Sequence, residues 1–152
     1  MDKAIITTSI GALEIVASDK GIQEIHFLKN SQKRLSSKNP HILKAIKQLK
    51  QYFEGRRKAF DIHLDFEATD FQTRVYQRLM KIPFGKTKSY KDIATEIKNK
   101  NASRAVGGAC NKNKLPIIIP CHRVIGKNGN LTGFASGISI KKKLLQFEQN
   151  HM

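Results

Sequence analysis

Apolar and polar residues alternate through the first 28 positions of the chain. Ala4-Ile5-Ile6-Thr7-Thr8 precedes Gly11, and Ala12-Leu13-Glu14-Ile15-Val16-Ala17 follows it. Asp19-Lys20-Gly21 then separates that run from Ile22-Gln23-Glu24-Ile25-His26-Phe27. Period-two patterning broken by short turns predicts an antiparallel meander. Residues 30–38 are polar and read as loop. Asn39-Pro40 supplies an N-cap and a first-turn proline. Ile42, Leu43, Ile46, Leu49 and Phe53 recur at helical spacing before Gly55. Ile62, Leu64 and Phe66 alternate with His63 and Asp65, which predicts one more short strand.

The period then becomes helical. Thr69-Asp70-Phe71-Gln72 has the capping-box pattern, and Val75, Leu79 and Ile82 form an apolar face that Pro83-Phe84-Gly85 ends. Ser89-Tyr90-Lys91-Asp92 is a second such start, leading into Ile93, Ala94 and Ile97. Residues 102–110 predict a short helix of small side chains. Two short helices joined by a brief turn in a basic segment predict a helix-turn-helix, the second helix being the reading one. The alternative is a plain helical hairpin that binds nothing. Pro116 and Pro120 enclose Ile117-Ile118-Ile119, an extended or turn segment that delivers Cys121-His122-Arg123-Val124-Ile125. Gly126, Gly129, Gly133 and Gly137 punctuate a loop. A last helix from Ile138 to Gln149 offers Ile140, Leu144, Leu145 and Phe147 for packing. The fold class expected is α+β. A small antiparallel-sheet domain over residues 1–66 precedes a helical domain over residues 67–152.

Composition sharpens this. The 152 residues are 39% hydrophobic, enough for a folded core. No apolar run approaches the roughly 20 residues of a membrane span, and the first residues enter the strand pattern without a signal-like stretch. Two cysteines fit a reducing compartment better than a disulfide framework. A membrane protein, a secreted disulfide scaffold and a repeat solenoid are therefore excluded, and a cytoplasmic location is expected. The net charge is +16, with 16 basic and 5 acidic groups in residues 67–152 against 12 and 7 before them. A basic excess concentrated in one half suggests a polyanionic partner, nucleic acid first. A solvated Lys-rich surface fits the charge equally well.

Cys121 next to His122 is the chemical candidate. An imidazole near a thiol can take its proton and lower its pKa. Successive residues of an extended segment point to opposite faces, so adjacency alone does not show a hydrogen bond. A base is usually oriented by a third group, and Glu148 is the only acid after Glu96. An inert buried thiol beside a satisfied histidine is the plainer reading of a bare Cys-His pair. The spacing does not suit zinc.

Ile119-Pro120-Cys121-His122-Arg123-Val124-Ile125 resembles the signature of the O6-alkylguanine-DNA alkyltransferases, the methylated-DNA–protein-cysteine methyltransferases. Ser89-Tyr90, Ile93-Ala94, Arg104-Ala105-Val106-Gly107-Gly108-Ala109, Asn113, Pro116-Ile117, Gly129, Gly137, Lys141, Leu144-Leu145 and Glu148 occur in the family's order and spacing. The resemblance is close over residues 69–149 and architectural before them. It implies a ribonuclease H-like first domain and a winged helix-turn-helix-like second domain. It also implies repair of double-stranded DNA containing O6-alkylguanine, and O4-alkylthymine, by one irreversible transfer to the protein itself. By that resemblance Cys121 is the acceptor, His122 its base through a bridging water, and Glu148 the group that orients His122. Arg104 fills the hole left by the flipped nucleotide, Tyr90 assists rotation and hydrogen-bonds the leaving guanine, and Asn113 braces the turn. The carbonyls of Cys121 and Val124 would accept from the guanine amine, and the Ala135 N–H would donate to the alkylated oxygen. Phe134 and Ser136 complete the pocket. Ala102, Ser103, Gly107 and Arg123 join Arg104 and Tyr90 on the minor groove.

The resemblance implies a monomer with no cofactor, no metal and no membrane partner. Lys114 stands where the family often has Pro, Phe134 where many members have Tyr, and Ala135-Ser136 where Ser-Gly or Gly-Gly is common. Residues 1–66 contain no Cys, so the structural zinc of some members is not expected. Two rival readings have different predictions. Alkyltransferase-like lesion sensors replace the acceptor, usually with Trp, whereas this chain has Cys121 and no Trp. A helix-turn-helix regulator would bind selected sequences and form no covalent product.

Overall fold

Asn39 shows how the first part of the chain is tied together. Its Oδ1 accepts from the His41 and Ile42 backbone N–H groups, capping the helix α1 (Pro40–Phe53). Its Nδ2 donates to Asp2 Oδ2 and to the Ser18 carbonyl, both at 2.9 Å. One buried amide therefore links the helix start to the strand β1 (Asp2–Thr8) and to the residue that follows β2 (Gly11–Ala17). The structure is a computed structural model and describes residues 1–30, 33–131 and 134–152. Gly133, one of the expected loop glycines, lies outside the described residues.

The chain forms two units, Met1–Glu67 and Ala68–Met152. In the first, β1, β2 and β3 (Ile22–Leu28) form an antiparallel sheet in sequence order. Ala4 and Ile6 of β1, Leu13 and Ile15 of β2, and Ile22 and Ile25 of β3 are buried. The α1 face that packs on this sheet is Ile42, Ala45, Leu49 and Tyr52. Leu43, at 52% exposure, turns outward. The apolar spacing thus located the helix but misassigned part of its inner face, because Ala45 and Gln48 also fill it. Gln48 is buried because its amide clamps Asp61, donating to the carbonyl at 3.1 Å and accepting from the N–H at 2.9 Å.

Two other expectations change. Residues 62–66 form a single parallel bridge between Leu64 and Ile22, with no strand. Among the described residues its backbone bonds to β3 are the Ile22 N–H to the His63 carbonyl and the Asp65 N–H to the Ile22 carbonyl. Leu64 meets β3 only at its first residue, and alternation of apolar side chains cannot supply a longer edge. Conversely, Leu35 in the expected loop pairs with Ile5 and occupies part of the β1 edge.

The second unit contains α2 (Asp70–Leu79), β4 (Lys88–Ser89), α3 (Tyr90–Glu96), α4 (Ser103–Asn111), β5 (Val124–Ile125) and α5 (Ile138–Asn150). Reciprocal capping boxes start α2 at Thr69 and α3 at Ser89. The helices α2, α3 and α4 pack on one another, and β4 pairs in parallel with β5. Tyr76 of α2 donates its hydroxyl to the Ala109 carbonyl of α4 at 2.8 Å. The helix α2 ends at Leu79, three residues before the expected Ile82. Pro83 to Lys86 forms a turn closed by the Lys86 N–H, with Gly85 at φ 80°, as a glycine in the third turn position allows.

Asn39→Ala removes a cap and two further hydrogen bonds, and leaves the Ser18 carbonyl and Asp2 short of a partner. A loss of about 2 kcal/mol is expected, measured as a lower urea midpoint for the first unit. A change below about 0.5 kcal/mol would be the surface-substitution result and would contradict the linking role.

Candidate active site

The segment that carries Cys121 is held from inside. Leu115, Ile117 and Ile119 are buried, and Ile117 takes φ 74°. A β-branched residue in the left-handed region is strained by about 1–3 kcal/mol, so the surrounding packing must impose this turn. Asn113 organises it. Its Oδ1 accepts from Leu115 N at 2.9 Å, and its Nδ2 donates to the Ile119 carbonyl at 2.8 Å. The same Nδ2 donates to Cys121 Sγ at 3.2 Å. Lys114, where the family often has proline, is exposed and does not interrupt these bonds. Residues 121–123 are a 3-10 turn rather than an extended segment, with Arg123 N–H bonded to the Pro120 carbonyl at 3.0 Å. Successive side chains therefore diverge by about 120°, and Cys121, His122 and Arg123 each face a different part of the interior.

Glu148 of α5 collects this turn. His122 Nε2 lies 2.7 Å from Oε2. Arg123 donates Nε to Oε1 at 2.9 Å and Nη2 to Oε2 at 3.0 Å. The Gly85 backbone N–H donates to Oε1 at 3.0 Å. Arg123 Nη1 reaches the Ile82 carbonyl at 2.7 Å, which the early end of α2 leaves outside the helical ladder. His122 and Glu148 are fully buried and Arg123 is 5% exposed. Burial alone would raise the Glu148 pKa, but the hydrogen bonds from His122 and Arg123, with the Arg123 charge, hold it well below the carboxylate range. Burial pushes His122 below its ordinary value, opposed by Glu148 and reinforced by Arg123 and Lys141. His122 Nδ1 is buried with no hydrogen-bond partner among the described residues.

Cys121 is a resting thiol. It is 2% exposed, and burial pushes its pKa up to about 11 against the pull of Asn113 and Lys141. The expectation of a lowered thiol pKa is corrected on this point, since desolvation outweighs its neighbours. Lys141 is fully buried on α5, donates to the Tyr90 hydroxyl at 3.2 Å, and stands 5.5 Å from the Tyr90 ring centroid. Burial lowers its pKa, with the two cysteines opposing.

The other expected residues fall into three groups. Arg104 is exposed on α4. Ala102 is buried, and a Cβ on Gly107 would face the Tyr90 ring at 3.8 Å. The small residues that α4 turns outward beside Arg104 are instead Ala105 and Gly108, and a Cβ on Gly108 would meet nothing within 4 Å. Ser103 is half-buried. Val124 and Phe134 are buried, Ala135 is exposed and Ser136 half-buried. The Cys121 carbonyl already accepts from the Val124 N–H, which leaves its second lone pair. Arg123 is not on the surface: all three guanidinium nitrogens are engaged inside the unit, so the expected DNA contact is corrected. Of the α5 residues offered for packing, Leu144 is buried while Ile140, Leu145 and Phe147 are half-buried, and the inner face is completed by two charged residues. Lys141, Leu144 and Glu148 lie at i, i+3 and i+7, a signal visible once charged residues are allowed on an inner face. Among the described residues no cluster of three or more His, Cys, Asp or Glu is placed to hold a metal, and no helix is long and apolar enough to cross a membrane.

Comparison with known proteins follows the same division of the chain. Residues 1–66 match the family model of the 6-O-methylguanine DNA methyltransferase ribonuclease-like domain, and residues 70–150 that of its DNA binding domain. A methylated-DNA–protein-cysteine methyltransferase from Methanosarcina barkeri is 44% identical over 154 residues, covering 97% of each chain. The constitutive enzyme of that name from Bacillus subtilis is 49% identical over 111 residues, 72% of this chain and 67% of its own. Among solved structures, Mycobacterium tuberculosis OGT in complex with DNA superposes with a TM-score of 0.86 at 39% identity, covering 97% and 92% of the two chains.

His122 and Glu148 both have folded-state pKa values below their ordinary ones. The unfolded chain therefore binds more protons, and stability rises with pH. The His122 contribution is present above its ordinary 6.5 and is lost as pH falls below it. That of Glu148 is lost below 4.5. The second unit is expected to unfold at lower urea at about pH 5.5 than at about pH 7.5, with His122→Gln flattening the difference. A midpoint independent of pH over that window would contradict a neutral buried His122.

Proposed function

The chain belongs to the 6-O-methylguanine DNA methyltransferase family, and from that premise we propose that it repairs DNA by moving the alkyl group of O6-alkylguanine onto its own Cys121. The observation that carries the assignment is the chain of contacts behind the thiol: Asn113 on Sγ, and an adjacent imidazole whose Nε2 is held by Glu148.

A thiol this deeply buried attacks only as its proton leaves. His122 Nδ1 takes that proton through one bridging water. Sulfur bonds to the alkyl carbon while the carbon–O6 bond breaks, and guanine leaves with the electron pair. Tyr90 donates toward the base and relieves its developing negative charge. Its own oxygen accepts from the Lys141 ammonium, which strengthens it as a donor. The leaving base recovers a proton, so charge balances: thiol plus alkylguanine gives thioether plus guanine. A thioether has no hydrolytic exit, and the protein acts once. The same pocket would take O4-alkylthymine, with Val124, Phe134, Ala135 and Ser136 around the base.

The target carbon lies inside the duplex, so the nucleotide must be turned out of the stack. An exposed Arg104 beside outward Ala105 and Gly108 supports entry of α4 into the minor groove, which is only about 6 Å wide. The guanidinium has a planar face and donors for the orphaned base. The relative crystallised with DNA supports DNA as the partner. Asn113, Cys121, His122, Tyr90 and Glu148 lie together within the second unit, an arrangement consistent with action as a monomer. Two buried free thiols, Cys110 and Cys121, support a reducing setting such as the cytoplasm.

Incubation with excess duplex containing O6-methylguanine should add one methyl group per chain, on the peptide holding Cys121. Cys121→Ser should add none and keep DNA affinity, because a serine hydroxyl is far too weakly acidic for this base. A methyl group on Cys110, or many turnovers per chain, would overturn the acceptor assignment.

Arg104→Ala should slow repair in duplex DNA by about 10-fold or more while leaving reaction with the free alkylated base nearly unchanged. The flipped state costs a few kcal/mol, and Arg104 offsets part of it. Equal losses on the two substrates would rule out that role.

A further inference from the structure

Arg123 lies one residue beyond the proposed base and touches neither the thiol nor the surface. Its fork donates to both oxygens of Glu148, at 2.9 and 3.0 Å, and its remaining nitrogen is anchored on the Ile82 carbonyl at 2.7 Å. The Phe84 ring packs against the guanidinium, 5.8 Å from its centroid. A carboxylate gripped by such a fork stays ionised and only accepts hydrogen bonds. Its contact with His122 at 2.7 Å therefore requires a hydrogen on Nε2. A neutral ring with Nε2–H has its lone pair on Nδ1. The charged groups facing His122 are Glu148 and Lys141 from α5 and Arg123 from its own turn. Arg123 cancels the charge of Glu148, so no net negative charge remains to draw a second proton onto the ring.

We propose that Arg123 is a positioning residue for alkyl transfer: acting through Glu148, it holds His122 as the neutral Nε2–H tautomer whose Nδ1 takes the Cys121 proton. The inference rests on the reading of Cys121 as acceptor. Without Arg123, the buried Glu148 has two ways to balance its charge. It pairs with an imidazolium, whose Nδ1 already carries hydrogen. Or it takes a proton, donates it to Nε2 and moves the ring hydrogen to Nδ1. Both states lose the base while keeping the nucleophile.

Nitrogen NMR of the full-length protein labelled at its histidines reads the tautomer directly, with His122→Gln identifying the signal. A neutral His122 with Nε2–H near pH 7 is expected. An imidazolium, or an Nδ1–H tautomer, overturns the proposal. Single-turnover transfer to Cys121 is then followed against pH for Arg123→Met and Arg123→Lys. Arg123→Met should lower the rate near pH 7 by about 100-fold, the kind of loss a misplaced tautomer causes. It should also move the acid limb of the profile to higher pH with DNA affinity unchanged. Arg123→Lys keeps a balancing charge and should return the acid limb toward that of the original protein, with part of the rate. An acid limb that stays in place in Arg123→Met overturns the proposal. If Arg123→Met does not fold, the tautomer and the Arg123→Lys profile decide. Failure of the parent reading looks different: the unaltered protein then gains no alkyl mass at Cys121, whatever the tautomer.

Discussion

A carboxylate has been placed in the buried interior of the second unit, and much of that unit converges to keep it charged. Removing an ion of this size from water costs several kcal/mol unless it is paired and hydrogen-bonded. Glu148 receives a guanidinium fork, an imidazole N–H and a backbone N–H. These donors come from the 3-10 turn at Cys121–Arg123 and from the loop after α2. The early end of α2, the left-handed Gly85 and the buried face of α5 all serve that convergence. The loop matters as much as the side chains: Ile82 supplies its carbonyl to Arg123 and Gly85 its N–H to Glu148.

The same burial governs the proposed chemistry. A thiol pushed up to about 11 does not present a standing thiolate, so the proton must move as the bond to carbon forms. That favours a neutral, oriented base over a nearby cation. The strained Ile117 and the bracing Asn113 show that the turn is imposed by its surroundings rather than chosen locally.

The outer face of α4 obeys a different constraint. Its inner positions, Val106, Ala109 and Cys110, are buried, which leaves Arg104, Ala105 and Gly108 outward. The proposed entry of α4 into the minor groove needs small residues on its outer side, and packing needs them on its inner side. Small residues on both sides made the two roles indistinguishable in the linear pattern. Only the helix rotation separates Ala102 and Gly107 from Ala105 and Gly108.

By itself the sequence determined whatever depends on neighbours within about one helical turn or one hairpin. The meander of β1 to β3 followed from period-two alternation, α1 from Asn39-Pro40, and the starts of α2 and α3 from capping boxes at Thr69 and Ser89. The Cys121-His122 motif and its companions marked the family. Tertiary structure decided what depends on distant groups. The strand expected at residues 62–66 became one bridge because β3 offered it one partner. Arg123 left the surface because Glu148, 25 residues on, and Ile82, 41 residues back, take its donors. Lys141 was buried because Tyr90, 51 residues away, accepts from it. Periodicity and caps are written in local spacing. The pairing of buried charges is settled by which elements the whole chain brings together and by the cost of leaving either charge alone.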